Sequence, residues 1–215
     1  DLDGDGLGDA CDDDADGDTF TITGSGSPIE TVAVSEQIVE GTRTGTLADS
    51  QASDDIYEAI EEIRVNNVSL LDARWSFDVP AGRLSVVFVE AFHSSNSEGD
   101  DFALSYSTNG VTFIDMFTVT KTIDDNRAQY FALPAGTSGT IVIRASDTNR
   151  TSGRRLDILF VDRIHVVTSD PADCDDLDPA VHPAVNEGPP GAATCSDGID
   201  NNCDGRIDAA DANCG

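Results

Sequence analysis

Residues 73–79 read ARWSFDV, and this stretch decides the fold. Its apolar residues occupy alternate positions and so fall on one face of an extended chain: Ala73, Trp75, Phe77 and Val79. An alternation with a period of two is typical of a β-strand that buries one face. We therefore expect a sheet whose inner face carries the single tryptophan of the chain.

Similar runs lie on both sides of this stretch, with Gly, Pro, Asn and Asp between them. They predict strands at residues 30–35, 73–79, 83–91, 101–107, 111–120, 129–133, 140–146 and 156–167. One helix is predicted at residues 54–63, where Ile56, Ile60 and Ile63 would share a face. Many short strands joined by polar loops indicate a mainly β fold, a jelly-roll β-sandwich.

Residues 28–168 also resemble the galactose-binding-like and carbohydrate-binding jelly rolls of secreted bacterial proteins. The resemblance rests on Trp75-Ser76-Phe77 and on the run from Asp100 to Ser107, which is followed by Asn109-Gly110. Likeness of fold does not determine function, so glycan binding as an accessory module of a secreted enzyme remains an alternative hypothesis.

Sugar recognition requires aromatic rings on an exposed face, and this chain offers few candidates. Trp75 lies on the apolar face of its strand, so we expect it in the core. Tyr57, Phe92 and Tyr130 are the remaining candidates, and we expect each of them to be packed.

The formal net charge of −29 is concentrated at the two ends of the chain. Residues 1–18 contain nine acids and no base, and residues 170–215 contain eleven acids and one base, Arg206. Nucleic acids are bound by clustered Lys and Arg, so this charge excludes them as partners. No apolar run reaches the roughly 18 residues of a membrane span, so no direct membrane insertion is expected.

The N-terminal acids, DLDGDGLGDACDDDADGD at residues 1–18, follow the spacing of an EF-hand calcium loop. A second, incomplete frame begins at Asp12. Crowded carboxylates repel one another unless cations neutralise them, and all-oxygen ligands favour calcium. A solvated acidic tail is the alternative interpretation. The ligands predicted here are Asp1, Asp3, Asp5, the Leu7 carbonyl, Asp9, Asp12, Asp14, Asp16 and Asp18.

The same segment resembles the thrombospondin type 3 repeat, whose D-x-D-x-D-G-x-G-D-x-C-D pattern it follows from Asp1 to Asp12. In that family, repeats wrap calcium ions with little hydrophobic core, and cysteines of successive repeats form disulfides. The resemblance therefore implies a calcium-binding segment that belongs to a longer protein.

A second loop with EF-hand spacing, DNNCDGRIDAAD, lies at residues 200–211. Its apolar position is Ile207, which we expect to hold the loop to a small core. Further acids lie upstream, in DCDDLDP at residues 173–179. The ligands predicted in this region are Asp173, Asp175, Asp176, Asp178, Asp200, Asn202, Asp204, the Arg206 carbonyl, Asp208 and Asp211.

Residues 170–214 resemble the MopE-type metal-binding motif of secreted and surface bacterial proteins. The resemblance rests on Asp173-Cys174-Asp175-Asp176 and on the run from Asp197 to Gly205. Residues 188–195 form an insertion relative to that pattern, and this leaves Glu187 outside the predicted ligand set.

Four of the five cysteines lie in the C-terminal region, and the segments around them are too polar to build a core. Such clustering indicates disulfides and hence an extracellular location. Cys174, Cys195, Cys203 and Cys214 allow three pairings, which the sequence leaves open. Cys11 is the odd cysteine, expected to pair outside this chain.

These patterns predict three segments: residues 1–18, residues 19–168 and residues 169–215. We expect a non-catalytic, calcium-binding structural or adhesive module with several Ca²⁺ ions, in which small calcium-wrapped, disulfide-stapled loop segments with little regular structure flank the sandwich. The alternatives are a carbohydrate-binding accessory module and a subunit of a calcium-stabilised extracellular fibre, so the expected partners are calcium and a glycan or neighbouring subunits.

Two further hypotheses concern the middle segment. A hydrolase would require His93 to meet Ser94 or Ser95 and an acid such as Asp100 or Asp101, but no G-x-S-x-G motif supports this, and no enzyme is expected. Loop acids also raise the hypothesis of one structural calcium in the sandwich, with ordinary solvated acids as the alternative: Asp54, Asp55, Glu58, Glu98, Asp100, Asp101, Asp157 and Asp162.

Overall fold

The structure is a computed structural model, which describes residues 2–8, 11, 12, 14–18, 21, 28–81, 83–94, 101–134, 136–150, 155–169, 172–175, 177–183, 185–203, 206–211, 213 and 214. Contacts divide the chain into two compact units. The sandwich unit comprises Ile29–Ala81 and Ser85–Thr168, and the acidic unit comprises Asp1–Pro28, Gly82–Leu84 and Ser169–Gly215. The three-segment boundaries remain a prediction.

Short strands make up most of the regular structure in the described residues. They are β1 (Ile29–Val32), β2 (Ser35–Glu40), β3 (Thr42–Thr44), β4 (Glu58–Glu61), β5 (Ile63–Val65), β6 (Val68–Leu70), β7 (Asp72–Val79), β8 (Leu84–His93), β9 (Phe102–Ser107), β10 (Ile114–Val119), β11 (Gln129–Ala132), β12 (Gly139–Asp147) and β13 (Ile158–Ser169). Short 3₁₀ helices occur at Leu47–Ser50, Ala193–Cys195 and Asp208–Ala210.

Two large sheets contain most of these strands. One has the order β11-β8-β13-β4-β3, with β1 paired antiparallel to β13, and the other has the order β10-β9-β12-β7-β2. Strand β12 pairs antiparallel with both β7 and β9. The predicted mainly β, jelly-roll sandwich is therefore confirmed.

The hydrophobic core lies between the inner faces of the two sheets. Trp75 and Phe77 on β7 and Leu104 on β9 are buried there, together with Val87 on β8 and Leu159 on β13. The alternation first noted in residues 73–79 thus gives the face that the sequence predicted. Burial of such side chains is the main favourable term for this unit.

The predicted helix at residues 54–63 is wrong. Ile56 is 57% exposed, Ile60 is fully buried in the core, and the segment forms strands β4 and β5. In β4 the buried and outward residues alternate from Glu58, and β4 pairs with both β3 and β13. The spacing of three isoleucines suggested a helix, but the ladder with β13 determines the conformation.

A buried carboxylate joins the two sheets across the core. The Trp75 Nε1–H on β7 donates to Glu58 Oε2 on β4 at 2.9 Å. Glu58 is fully buried, and burial raises the pKa of this carboxyl, while hydrogen bonds from Ser50 and Trp75 lower it. The balance favours the neutral acid relative to the unfolded chain.

We predict that Glu58→Gln stabilises the sandwich unit at pH 7.5 but not at pH 4.5. A raised folded-state pKa means that this group stabilises the fold below its unfolded pKa and loses that contribution as the pH rises through the folded pKa. Glutamine still accepts the Trp75 hydrogen bond and carries no charge, so a higher free energy of unfolding is expected at the higher pH. Urea unfolding followed by Trp75 fluorescence measures it.

Glu61→Gln is the matched control, because Glu61 is the exposed acid on the same strand. It should leave the pH dependence unchanged. A difference between Glu58→Gln and wild type that does not vary between the two pH values would contradict the prediction.

Candidate metal centre

The N-terminal aspartates form a series of turns in which a carboxylate accepts from the backbone two residues later. Asp5 N donates to Asp3 Oδ1 at 3.1 Å, and Leu7 N donates to Asp5 Oδ1 at 2.7 Å. The same pattern recurs from Asp14 N to Asp12 Oδ1, at 3.1 Å. Because each such turn curls the chain around its own side chain, alternate carboxylates gather on one side.

These turns bring the carboxylates into two groups. Asp3, Asp5 and Asp12 each offer an oxygen within 4.8 Å of the others, and Asp14, Asp16 and Asp18 do the same. The predicted ligands Asp1 and Asp9 lie outside the described residues, and Leu7 is exposed. The first group consists of residues from the EF-hand frame that begins at Asp1, and the second of residues from the frame that begins at Asp12.

Asp16 has the environment of a cation ligand. Its side chain is buried, at 9% exposure, and among the described residues its Oδ2 has no hydrogen-bond partner. Burial raises the pKa of Asp16, and the charges of Asp18, Asp173 and Asp14 act in the same direction. The backbone N–H of Asp18 donates to Asp16 Oδ1 at 3.2 Å, and a positive charge beside Oδ2 would stabilise the ionised form further. The residues present therefore fit a bound cation.

The acids from the two ends of the chain meet within the acidic unit. Asp173 N donates to the carbonyl of Thr21 at 2.9 Å. Asp173 is buried, and it also accepts from Asp175 N through Oδ1 at 3.1 Å. A backbone hydrogen bond therefore connects the start of the C-terminal motif to Thr21, which lies just beyond the predicted N-terminal segment.

The loop at residues 200–211 brings its first and last parts together. Asn202 Nδ2 donates to Asp211 Oδ2 at 2.9 Å, and Asp211 is buried. The backbone N–H of Asn213 donates to Asp211 Oδ1, and this bond is the largest cause that lowers the pKa of the Asp211 carboxyl. Within the described part of the loop, no three acids lie within 4.8 Å of one another.

The remaining predicted ligands of the C-terminal region are more scattered. Asp175 is exposed, Asp178 and Asp200 are half-buried, and the Arg206 side chain is exposed. Asp178 accepts from the backbone N–H of Ala180 at 3.0 Å. Asp176 and Asp204 lie outside the described residues.

Ile207 does not hold this loop to a core, contrary to the expectation. It is 48% exposed, because the 3₁₀ helix that begins at Asp208 turns the chain there. The buried apolar side chains in the described part of the acidic unit are Ala15 and Val181. This unit thus has very little hydrophobic core.

Glu187 is a candidate ligand that the sequence analysis left out. It is fully buried, its Oε1 accepts from Asp208 N, and its Oε2 has no partner among the described residues. Asp208 in turn accepts from Gly198 N through Oδ1 at 3.2 Å. The MopE-like pattern contained the signal, but the insertion at residues 188–195 obscured it.

Two disulfides staple the C-terminal region, as predicted, and the structure selects one of the three pairings. Cys174 bonds to Cys203 and Cys195 to Cys214, with Cα–Cα distances of 5.6 and 5.5 Å. Cys11 is free and exposed. The sulfur atoms of Cys174 and Cys203 lie beside Asp173, but disulfide sulfurs are not thiolate ligands, so this group is not a metal site.

Among the described candidates for a hydrolase triad, the His93 imidazole and the Ser94 hydroxyl do not contact each other through a hydrogen bond. His93 Nε2 lies 3.2 Å from Asp101 Oδ1, whereas the Ser94 hydroxyl donates to Asp157 Oδ1 at 3.0 Å. Ser95 and Asp100 lie outside the described residues. The hydroxyl and the imidazole thus have different partners.

Comparison with known families identifies one motif in this chain. A family model, Cu-binding_MopE, described as a "putative metal-binding motif", matches residues 173–209. The resemblance noted in the C-terminal region is thereby confirmed. No curated protein matches the chain. No described helix is long and apolar enough to span a membrane.

Solved structures similar to the chain include several carbohydrate-binding modules. A family 35 module from Clostridium thermocellum is 18% identical, with 66% of this chain and 98% of that chain covered and a TM-score of 0.35. A chitosan-binding module from Paenibacillus sp. IK-5 is 9% identical, with 63% and 95% covered and a TM-score of 0.39. TmCBM61 in complex with β-1,4-galactotriose is 15% identical, with 63% and 89% covered and a TM-score of 0.39. Likenesses at this level carry no argument about ligands.

We predict that peptide mapping without reduction recovers the Cys174–Cys203 and Cys195–Cys214 links and a Cys11 that reacts with a thiol-alkylating reagent. Each bond closes a loop in a unit with almost no core, and each contributes about 3 kcal/mol by restricting the unfolded chain. A peptide that links Cys174 to Cys195 or to Cys214 would contradict the structure.

Proposed function

We propose that this chain is a non-catalytic, extracellular metal-binding module whose acidic unit holds several calcium ions. The observation that carries the proposal is the Asp14–Asp16–Asp18 group, in which a buried carboxylate oxygen of Asp16 has no donor among the described residues. The metal-binding motif matched at residues 173–209 lies in the same unit.

The donor chemistry favours calcium over the copper that the matched family's name suggests. The grouped ligands are carboxylate oxygens, which suit hard cations, and calcium tolerates irregular geometry better than magnesium. Copper prefers imidazole or sulfur ligands. The acidic unit contains one histidine, His182, and its four C-terminal cysteines are in disulfides.

A bound cation would neutralise carboxylates that otherwise repel one another. Asp14, Asp16 and Asp18 would hold one ion, and Asp3, Asp5 and Asp12 would hold another. Because such sites do not exist in an unfolded segment, binding free energy becomes folding free energy. The acidic unit would then serve as a rigid spacer, in agreement with the resemblance of residues 1–18 to the thrombospondin type 3 repeat.

We predict that native mass spectrometry finds several calcium ions per chain and that Asp16→Asn weakens the tightest calcium binding about tenfold in calorimetry. Asp115→Asn, at an exposed position on β10, is the matched control and should bind as wild type does.

Chelation should expose residues 1–18 and 170–215 to protease while the Trp75 unfolding transition persists. Equal protease sensitivity with and without chelator would sink the proposal, as would tighter binding of copper than of calcium.

A second candidate function, glycan binding by the sandwich unit, is favoured by one aromatic side chain. Tyr57 and Phe92 are packed, as expected, with their rings 5.2 Å apart. Tyr130 is instead 71% exposed, so the expectation that it is packed is wrong. It lies on β11, an edge strand of its sheet. Its ring packs against the ring of Phe88, with the two centroids 6.1 Å apart.

An exposed ring with a fixed orientation is the feature that sugars stack against. We predict that Tyr130→Ala abolishes retention of the chain in affinity gels containing β-galactan, chitosan or alginate, if wild type is retarded by any of them. Val111→Ala, which removes another exposed apolar side chain, is the control. Retardation that survives Tyr130→Ala would assign the binding to another surface.

A further inference from the structure

The outer face of the sheet β10-β9-β12-β7-β2 carries a row of polar side chains that crosses all five strands. Its members lie directly opposite one another in the four strand pairings. Their neighbours along the strands, such as Trp75, Ile143 and Leu104, are buried in the core, so the row points away from the core. In order across the sheet, the row contains Asp115, Ser105, Arg144, Arg74 and Gln37.

Two arginines lie side by side at the centre of this row. Arg144 on β12 is directly opposite Arg74 on β7, and like charges in such a position destabilise a sheet. Asp72 compensates only one of them, because Arg74 Nε donates to Asp72 Oδ1 at 2.7 Å and Arg74 Nη2 donates to Asp72 Oδ2 at 2.9 Å. The centre of the row therefore keeps the positive charge of Arg144.

Arg144 has no acidic partner among the described residues. Its Nε donates to the hydroxyl oxygen of Ser105 at 3.3 Å. Asp115, two strands away in the row, is about 10 Å distant, which is too far for an ion pair. In a chain with 41 acids and 12 bases, Arg150 and Arg163 by contrast each pair with a glutamate. The Arg144 guanidinium is thus free to bind an anion from outside the chain.

An aromatic ring orients both guanidinium groups. The centroid of the Phe113 ring lies 4.0 Å from Arg144 Cζ and 5.2 Å from Arg74 Cζ. A cation over an aromatic face is stabilised by the charge distribution of the ring. Phe113 belongs to the loop between β9 and β10, where Asn109 Oδ1 accepts from Thr112 N at 2.9 Å. The ring therefore holds the two groups in position before any ligand binds.

Hydroxyl and amide groups lie beside the two arginines. Gln37 on β2 is opposite Arg74, and Ser35 is opposite Ser76 in the next row. Gln37 and Ser35 are exposed and Ser76 is half-buried. None of these three side chains has a hydrogen-bond partner in the part of the chain that the structure describes. Such groups both donate and accept hydrogen bonds, as sugar hydroxyls do.

We propose that Arg144 and Arg74 form a binding site for the carboxylate of an acidic sugar, in a glycan that contains uronic acid. A planar guanidinium matches a carboxylate with two parallel hydrogen bonds. The hydroxyl and amide groups of Ser35, Ser76 and Gln37 would bind the hydroxyls of the same sugar. The proposal goes beyond calcium binding and beyond stacking on Tyr130, because it uses none of the same residues.

Calorimetry with two trisaccharides of equal length, trigalacturonate and neutral galactotriose, tests this site on the full chain in calcium. In 0.15 M salt, charges more than about 8 Å away are largely screened, so the other acids oppose the ligand little. Wild type should bind trigalacturonate at least tenfold more tightly than galactotriose. Arg144→Gln should weaken trigalacturonate binding about tenfold and leave galactotriose binding unchanged. Arg144→Lys, which keeps the charge but not the planar group, should restore only part of the affinity.

Arg64→Gln is the matched control, because it removes the same charge from an exposed position on β5. It should bind trigalacturonate as wild type does. The midpoint of the Trp75 unfolding transition verifies that each variant folds. If Arg144→Gln does not fold, Phe113→Leu, in the loop before β10, takes its place and should weaken binding about threefold through loss of the ring.

Three results would overturn the proposal. The first is a wild-type affinity for trigalacturonate no higher than that for galactotriose. The second is an unchanged affinity in Arg144→Gln, which is also what calcium-bridged binding to the acidic unit would give. The third is equal affinity for a tri-aspartate peptide, which would assign the site to acidic proteins. Retained trigalacturonate binding in Asp16→Asn and in Tyr130→Ala would separate this site from the other two.

Discussion

The repulsion between carboxylates that the chain gathers into small volumes is the constraint on which the rest of this structure depends. Twenty of the 41 acids lie in residues 1–18 and 170–215, against a single base, Arg206. Where such acids are exposed, water screens them; at Asp16 and Glu187 the fold removes that water. The proposed calcium ions would supply positive charge that compensates these carboxylates.

Each of the two units is stabilised by its own set of interactions. The sandwich unit has a continuous hydrophobic core between two sheets, and this core is sufficient to define its fold. The acidic unit buries only Ala15 and Val181 among its described apolar residues and relies on two disulfides and on backbone-to-carboxylate hydrogen bonds. Such a unit is expected to be far more sensitive to calcium and to reductant.

Three buried acids in the sandwich unit differ in the partners that compensate their carboxyl groups. Glu58 receives a hydrogen bond from Trp75 inside the core, and its environment favours the neutral form. The Asp157 carboxylate accepts from the Ser94 hydroxyl, and the Asp157 carbonyl accepts from the backbone N–H of Glu62. Asp162 accepts from Asp54 N through Oδ1, and its Oδ2 has no hydrogen-bond partner among the described residues.

The sequence by itself determined the sandwich fold, the disulfide-bonded character of the C-terminal region and the carboxylate spacing near residue 12, because periodicity and ligand spacing are local properties of the chain. Two predictions from the sequence were wrong: a helix where Ile60 lies in a strand, and a packed side chain for Tyr130, which is exposed. Strand pairing and exposure depend on partners that are distant in sequence. The meeting of Asp173 with Thr21, the choice of Cys203 for Cys174, and the grouping of Asp124 with Asp55 and Asp162 were decided by tertiary structure alone. Each joins segments whose separation along the chain gives no indication of their distance in space.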